Sequence, residues 1–328
     1  MNFSRTLTRQ PYGQETAREI DRSMSRVDSF SYQVQFGGFM KLEKYIVKAR
    51  PGVVGGKFEE KRPLRERLEL PVTRHIFINR DSHPDAGIYV AIHEAKNLPS
   101  PVPDYQVPHR HNTDEFYYFI GHNRDLTGLE GQIIFEGKVH AIVSPATVYI
   151  PQGAVHEYKV TRGAGTVTVL FRDRGYTHEN QPFDLGKGER DFAKFASYIF
   201  HPDVRPTTEI KYHTDAAPGV RYVFVDGKLK PEAGFYTVVR SVSHVPPTQA
   251  NYVDMHSHNC GTQHIAIGTG PGLTGLKIEF QIADEKVVVE SPVGVNIPAG
   301  TRHSQRIIEG SGHFFNFVPK SHYNEGLV

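Results

Sequence analysis

The chain contains 328 residues, of which 30 are glycine and 22 are proline, and this composition favours an all-β protein of two domains with many turns. Its 38 basic and 36 acidic residues leave a formal net charge of +2, which gives no electrostatic footprint for nucleic acid or an anionic membrane. The single cysteine, Cys260, excludes an internal disulfide. Because no apolar stretch is long enough to span a membrane and the first residues lack the apolar segment of a secretory signal, we expect a cytoplasmic protein.

The first 70 residues are predicted to form an N-terminal arm and the first strands. Residues 1–30 are polar, and their pattern predicts either a short helix from Glu15 to Val27 or a surface arm without regular structure. The charged stretch that begins at Lys57 is typical of a solvated segment. From Pro71 onward, an alternating pattern of apolar residues predicts β-strands.

Two short motifs follow in chain order, HRHNTDE from His109 and PQGAVH ending at His156. In an extended strand, His109, His111 and Glu115 lie at even spacings and therefore point to one face. Gly153 permits a tight turn, after which His156 enters a strand that can face the first. Three neutral imidazoles and one carboxylate are a suitable ligand set for a divalent first-row metal, so these four residues are predicted metal ligands.

The sequence repeats itself at a constant shift of 147 residues. The shift aligns PVTRHIFINRDSHPDAGIY from Pro71 with PGVRYVFVDGKLKPEAGFY from Pro218. It also places three further predicted metal ligands, His256, His258 and His303, opposite the histidines of the first copy. Over the 48 residues from 109 to 156, 16 are identical to their partners. One constant shift over such a length indicates a duplicated structural unit.

The spacing HxHx3E followed by PxGxxH resembles the two signature motifs of the cupin superfamily, and the duplication resembles that of the bicupins. The resemblance implies an all-β fold of two tandem jelly-roll barrels, or double-stranded β-helices, with the ligands inside each barrel. We expect the arm at 1–70, the N-terminal barrel at 71–175, a crossover segment at 176–217 and the C-terminal barrel at 218–328. The resemblance also identifies His109, His111, Glu115 and His156 with the metal ligands of the family.

The second copy differs from the first at one ligand position, where Thr262 replaces Glu115. Gln263 is adjacent, but in a regular strand it points away from the ligand face and reaches the centre only through a bulge. The second copy is therefore predicted to offer three histidines, and this site either holds a metal, is a vestigial or structural relic, or is a substrate pocket. Iron is the expected metal, with manganese, nickel, copper and zinc as alternatives.

Side-chain alternation predicts which residues line each barrel. Tyr117, Phe119 and Tyr158 are expected to point into the first barrel, and His264, Gln305 and Asn316 into the second. The two tyrosines are candidate catalytic residues, because a hydroxyl there would lie near a bound substrate, or they simply fill the barrel. Glu115 is predicted to act as a ligand and as a catalytic base.

Four protein ligands leave about two open positions on an octahedral ion, which suits a small substrate that chelates through two oxygens. The resemblance to bicupin dioxygenases and to oxalate decarboxylase implies, first, an iron-dependent oxidoreductase, a dioxygenase, with turnover in the first barrel. An isomerase or lyase of a sugar or a keto or hydroxy acid is the first alternative, and a binding protein without turnover is the second. Cupins often pair through sheet edges, so a homodimer is also expected.

Overall fold

The computed structural model describes residues 42–52, 71–80, 82–106, 108–172 and 195–328. Within these ranges the protein is built almost entirely from β-strands, with short 3-10 helices between some of them. The predicted helix from Glu15 to Val27 lies outside the described residues. Among the residues that are described, no helix is both long and apolar enough to cross a membrane.

The strands follow one another in two similar series. The first ten in the described part of the chain are β1 (Ile46–Lys48), β2 (Arg50–Gly52), β3 (Val72–Ile78), β4 (Tyr89–Ala95), β5 (Glu115–Gly121), β6 (Leu129–Phe135), β7 (Lys138–Val143), β8 (Ala146–Ile150), β9 (His156–Gly163) and β10 (Gly165–Phe171). The next ten are β11 (Ile199–Phe200), β12 (Asp203–Val204), β13 (Val220–Val225), β14 (Tyr236–Val242), β15 (Thr262–Gly268), β16 (Leu276–Ile282), β17 (Glu285–Glu290), β18 (Val293–Ile297), β19 (His303–Gly310) and β20 (Gly312–Val318). Short 3-10 helices span Glu43–Tyr45, Thr207–Glu209, Pro231–Ala233, Pro271–Leu273 and Tyr323–Gly326.

Each half of the described chain forms one large and one small antiparallel sheet. In the N-terminal half, a sheet of order β11-β8-β5-β10-β4-β3-β2 accompanies a three-stranded sheet of order β7-β6-β9. In the C-terminal half, the corresponding orders are β1-β18-β15-β20-β14-β13-β12 and β17-β16-β19. Paired sheets of this kind form a jelly roll. The prediction of an all-β protein with two tandem jelly-roll barrels is therefore confirmed.

The 147-residue repeat is present in the backbone itself. Each of the seven strands from β4 to β10 has the same length and equivalent limits in the series from β14 to β20. Gly121 and Gly268 are equivalent, and a Cβ atom there would lie 2.0 Å from the Thr127 carbonyl oxygen and 1.8 Å from that of Thr274. Only glycine fits at such close approaches of two backbone segments. The duplication thus preserves the turns as well as the strands.

Two short strands connect the halves. β1 pairs with β18 in the C-terminal half, and β11 pairs with β8 in the N-terminal half. β8 and β18 are equivalent in the repeat, and the sequences FMKLEKYIV and FAKFASYIF around the added strands resemble each other. Each of these segments therefore adds a strand to the barrel of the other half. The domain limits and the homodimer stay predictions.

The two barrels pack through the outer faces of their large sheets. On β5, the Tyr118 hydroxyl forms a hydrogen bond with the Thr237 hydroxyl at 2.8 Å, and the Phe116 ring stacks on Phe235 with centroids 5.6 Å apart. Successive side chains of a strand point to opposite faces, so Glu115 and the residues two and four further along point into the first barrel. Glu115 and the other inward-pointing side chains of β5 therefore lie on the opposite face of the sheet from the interface between the barrels.

Candidate metal centres

The first candidate centre lies where the start of β9 meets the segment before β5. His109 and His156 form an antiparallel bridge, in which each backbone N–H donates to the other's carbonyl oxygen at 3.0 and 2.8 Å. The Gly153 N–H donates to the His111 carbonyl oxygen at 2.8 Å, so the PQGAVH turn positions the remaining histidine. The three side chains are buried, and each offers a ring nitrogen within 4.8 Å of the other two.

Glu115, the first residue of β5, brings its carboxylate beside two of these histidines. Its Oε2 lies 2.7 Å from His156 Nε2 and 3.6 Å from His111 Nε2. Neither carboxylate oxygen has a hydrogen-bond partner among the described residues, so the 2.7 Å approach is not aligned as a hydrogen bond. His156 Nδ1 donates to the Ala154 carbonyl oxygen at 2.9 Å, which leaves the lone pair on Nε2. Buried oxygen and nitrogen atoms that converge with their lone pairs, without hydrogen bonds to one another, are suited to bind one shared cation.

The second candidate centre repeats this backbone arrangement. His256 and His303 form the equivalent bridge, with N–H to carbonyl distances of 3.1 and 2.8 Å. Their Nδ1 atoms donate to the carbonyl oxygens of Asp254 and Thr301 at 2.8 and 2.9 Å, so both Nε2 atoms again carry the lone pair. His258 is buried, and neither of its ring nitrogens has a hydrogen-bond partner within the described ranges. This donor set also fits a divalent metal.

The predicted difference between the two centres is present in the structure. Thr262 stands at the position of Glu115, is buried, and offers a hydroxyl that has no hydrogen-bond partner among the described residues. The Gln263 amide nitrogen instead donates to the Ala86 carbonyl oxygen and to the Asn296 side chain, each at 3.0 Å. The strand is regular here, so Gln263 does not reach the three histidines.

Comparison with known proteins supports this architecture. No family model matches the sequence, and no curated protein does. The solved structure of oxalate decarboxylase from Lactobacillus farciminis, a formate complex, is 13% identical, with 88% of this chain and 89% of that chain covered and a TM-score of 0.53. Oxalate decarboxylase from Bacillus subtilis is 14% identical, with 78% and 74% covered and a TM-score of 0.51. The chain has the bicupin fold.

The histidines of the second centre are held neutral by their surroundings. Burial, together with the neighbouring imidazoles, lowers the pKa of His258 and of His303 from 6.5 to about 3. Burial also lowers the pKa of His256. A metal ligand must be the neutral imidazole, so the protein presents these side chains in the form that binds a cation.

Metal-free protein is expected to lose stability as the pH falls below about 6.5. His258 and His303 take up protons at 6.5 when unfolded and at about 3 when folded. Between these values the unfolded chain binds more protons, so the free energy of unfolding falls by about 1.4 kcal/mol per pH unit for each histidine. Urea unfolding of chelator-treated protein over this interval measures the slope. His258→Gln should reduce the slope of the unfolding free energy against pH by the contribution of one histidine. The exposed control His244→Gln should leave the slope unchanged. Equal slopes in all three proteins would contradict the expectation.

The predicted residues of the first barrel are buried on its inner side. The Tyr117 ring lies 4.8 Å from the Tyr158 ring and 6.0 Å from that of His156, between centroids. The Tyr158 hydroxyl is hydrogen-bonded to Nδ1 of His93, a residue of β4 that the sequence analysis did not single out. Burial lowers the pKa of His93, and the nearby Arg74 lowers it further. The Tyr158 hydroxyl is therefore already hydrogen-bonded inside the barrel. Catalytic roles for Tyr117 and Tyr158 stay predictions.

The second barrel contains a small pocket lined by both polar and apolar side chains. Gln305 and Asn316, predicted to point inward, both line it, and each has a side-chain oxygen without a hydrogen-bond partner in the described residues. His264 is buried deeper, with its ring stacked on Phe314 at 5.5 Å. The full lining is Thr207, Ile210, His213, Arg221, Val238, Arg240, Tyr252, Val253, Gln305, Ile307, Phe314 and Asn316. The pocket adjoins the second centre, because the His213 ring lies 5.3 Å from that of His256.

A tyrosine near the C-terminus also reaches the second centre. Tyr323 begins the last 3-10 helix, is 2% exposed, and brings its hydroxyl 2.7 Å from His256 Nε2. Its ring packs against His258 with centroids 4.8 Å apart. The segment is anchored there because the Asn259 N–H donates to the Gly326 carbonyl oxygen at 2.6 Å. Nothing in the motif spacing indicated Tyr323, which lies beyond the aligned motifs.

Proposed function

We propose that this bicupin is a metal-dependent lyase that breaks a carbon–carbon bond of a small organic acid, and that the acid binds in the second barrel. The observation that carries the proposal is a pair of arginines, Arg221 and Arg240, in the wall of the pocket beside the second centre. They are Cα partners on the neighbouring strands β13 and β14. Like charges directly opposite each other destabilise a sheet unless an anion offsets them.

Protein groups satisfy the two guanidinium groups in part, since Arg221 donates to the Pro206 carbonyl oxygen at 2.8 Å and Arg240 to the Pro218 and Gly219 carbonyl oxygens at 3.4 and 3.5 Å. Arg221 donates to the Tyr236 hydroxyl at 2.9 Å and lies 3.4 Å from a Glu209 carboxylate oxygen, while its Nε has no hydrogen-bond partner in the described ranges. Arg240 donates to the Thr207 hydroxyl at 2.7 Å. Burial and the neighbouring Arg221 lower the pKa of Arg240 to about 10, so it stays charged near neutral pH. The residues that line the pocket include no carboxylate.

The first barrel lacks this arrangement although it descends from the same repeat. Arg74 stands at the place of Arg221 and is hydrogen-bonded to the Tyr89 hydroxyl. His93 stands at the place of Arg240, and its partner Tyr158 stands at the place of Gln305. The Tyr158 side chain therefore stands where the second barrel has the Gln305 amide. This contrast favours the second barrel as the place for a carboxylate, and differs from the sequence prediction of turnover beside Glu115.

The metal would be held by His256, His258 and His303 in the second barrel, and by His109, His111, His156 and Glu115 in the first. A bound divalent ion would supply Lewis-acid chemistry, drawing electron density from an oxygen of the substrate. The protein's own part is to orient the acid: two guanidinium groups fix one carboxylate, and the Gln305 and Asn316 amides are placed to bond its remaining oxygens. Iron stays the proposed metal, with manganese, nickel, copper and zinc as alternatives.

The two solved structures compared above add support for the reaction class. Both are oxalate decarboxylases, enzymes named for removing a carboxyl group from a small dicarboxylate. A dioxygenase, the leading interpretation of the sequence, is the second candidate. It is favoured by the aromatic surroundings of the first centre, where the Phe171 ring lies 4.5 Å from that of His111. An apolar wall of this kind suits an aromatic or diketone substrate.

Stoichiometric measurement of dioxygen separates the two candidates. Protein loaded with iron or manganese is mixed with oxalate, malonate, 2-oxo acids, diketones and catechols, and dioxygen uptake and carbon dioxide release are recorded together. The lyase proposal expects an acid to release carbon dioxide without equivalent dioxygen consumption. One dioxygen consumed per substrate converted would establish a dioxygenase instead. Binding of an acid without any conversion would overturn both and support a binding protein.

A further inference from the structure

The second centre lacks a carboxylate ligand, yet an oxygen donor is present at its edge. The Tyr323 hydroxyl oxygen lies 2.7 Å from His256 Nε2, the same separation that Glu115 Oε2 keeps from His156 Nε2 in the first centre. Two ligands at right angles on an ion with bonds of about 2.0–2.2 Å are about 3 Å apart. The Tyr323 hydroxyl is therefore as close to His256 as two ligands of one ion can be, although it comes from a different part of the chain than Glu115 and approaches a different histidine of the triad.

The hydroxyl is held at this position by the ring's surroundings. The Tyr323 ring contacts the rings of His258, His213 and Tyr236, with centroids 4.8, 5.2 and 5.7 Å apart. The hydroxyl oxygen is also 3.5 Å from His213 Nε2. Because Nδ1 of both His213 and His256 donates to a backbone carbonyl, each Nε2 can only accept, and the hydroxyl donates toward the centre.

We propose that Tyr323 is the fourth protein ligand of the second centre and replaces the carboxylate that Thr262 cannot supply. This rests on the proposal that His256, His258 and His303 hold a metal. When the ion binds, the O–H bond breaks, the oxygen keeps the electron pair and the proton leaves to solvent, with no change of oxidation state. The phenolate contributes one negative charge, as Glu115 does in the first centre, so both centres have three imidazoles and one anionic oxygen.

Copper(II) is a suitable probe, because it binds such sites most tightly of the divalent first-row metals and its phenolate complexes absorb visible light. Chelator-stripped protein is titrated with copper(II) and followed by absorbance, resonance Raman and proton release. The wild type should show a phenolate-to-copper band. Tyr323→Phe should lose the band, release one proton fewer and bind copper at this centre at least about tenfold more weakly. The control is Tyr212→Phe, since the exposed Tyr212 ring stacks on His256 at 5.9 Å, and it should keep the band.

Two results would overturn the inference, and they are distinguishable. If Tyr323→Phe binds copper as tightly as the wild type or more tightly, and no phenolate band depends on it, the hydroxyl only donates to His256 and competes with the metal. If His303→Gln leaves the copper stoichiometry unchanged, no metal binds at this centre, and the proposed metal role of the second barrel fails as well. The phenolate modes in the wild-type Raman spectrum decide the question even if Tyr323→Phe fails to fold.

Discussion

Replacement of His303 with glutamine is expected to lower kcat/KM for the acid substrate by at least about 1,000-fold. The side chain supplies one of three imidazoles at the second centre, and a bound metal contributes several kcal/mol of charge stabilisation to such a reaction. Its backbone also pairs with His256, but glutamine can keep that pairing, so the fold should survive. Steady-state kinetics with metal-loaded protein, together with metal analysis, measure both effects.

The matched control is the equivalent variant of the first barrel, His156→Gln. It should remove metal from the first centre and reduce the metal-induced rise in melting temperature, yet cost less than about tenfold in kcat/KM if the acid turns over in the second barrel. The opposite pattern, in which His156→Gln or Glu115→Gln abolishes turnover and His303→Gln spares it, would place the reaction beside Glu115, as the sequence predicts. Comparison of His303→Gln with His156→Gln therefore shows which of the two barrels carries out the reaction.

The metal ligands could be predicted from sequence because their geometry depends on local backbone rules. Even spacing predicted one face of an extended strand for His109, His111 and Glu115, and the glycine turn was predicted to return His156 to them. The extended strand is wrong for this stretch, because β5 begins only at Glu115 and the chain bends at residues 112 and 113. The His109–His156 bridge and the Gly153 hydrogen bond to His111 position these histidines instead. The constant shift then transferred the whole arrangement to the second copy without any knowledge of sheet order. The same alternation placed Gln263 away from the centre, where it bonds Asn296.

The arginine pair could not be predicted in the same way. Arg221 and Arg240 are 19 positions apart, and only the pairing register of β13 and β14 brings them together. One signal was available: Arg74 and Arg221 are identical residues at the 147-residue shift, but an arginine on a strand of unknown face has no assigned role. Alternation likewise put Tyr158 inside the barrel, yet it could not indicate that His93 would bind its hydroxyl.

Tyr323 shows a third limit of motif analysis. A cupin motif is recognised by fixed spacing. In the second copy this spacing shows that Thr262 replaces the carboxylate, but it does not show which residue could supply a ligand in its place. A donor that returns from the end of the chain has no spacing rule, because the path of residues 319–328 depends on packing. The backbone contact between Asn259 and Gly326 and the buried ring are tertiary features. Incomplete ligand sets in repeated domains therefore call for a search in space and not along the chain.

Replacement of Arg240 with glutamine is expected to raise KM for the acid substrate roughly 10- to 100-fold, with a smaller effect on kcat. A hydrogen bond to a charged group contributes about 1.5–3 kcal/mol, and Arg240 is proposed to bind the carboxylate before and during the reaction alike, so the loss should be mainly in binding. Arg240→Lys should recover part of the affinity, because it restores the charge but not the paired N–H donors. Titration calorimetry with the same acid, or with malonate as a probe, gives the affinity independently of turnover.

The control for this variant is Arg306→Gln, on β19 of the same barrel, where the guanidinium faces outward and lies 3.3 Å from a Glu279 carboxylate oxygen. It should change neither KM nor the affinity measured by calorimetry. If Arg240→Gln behaves like this control, the arginine pair does not bind the substrate, and its contacts with Thr207 and the backbone are its whole role. If both variants weaken binding equally, the effect follows from net charge and not from the pocket. A loss confined to Arg240 would place the carboxylate beside this guanidinium group, in the pocket that Arg221 also lines.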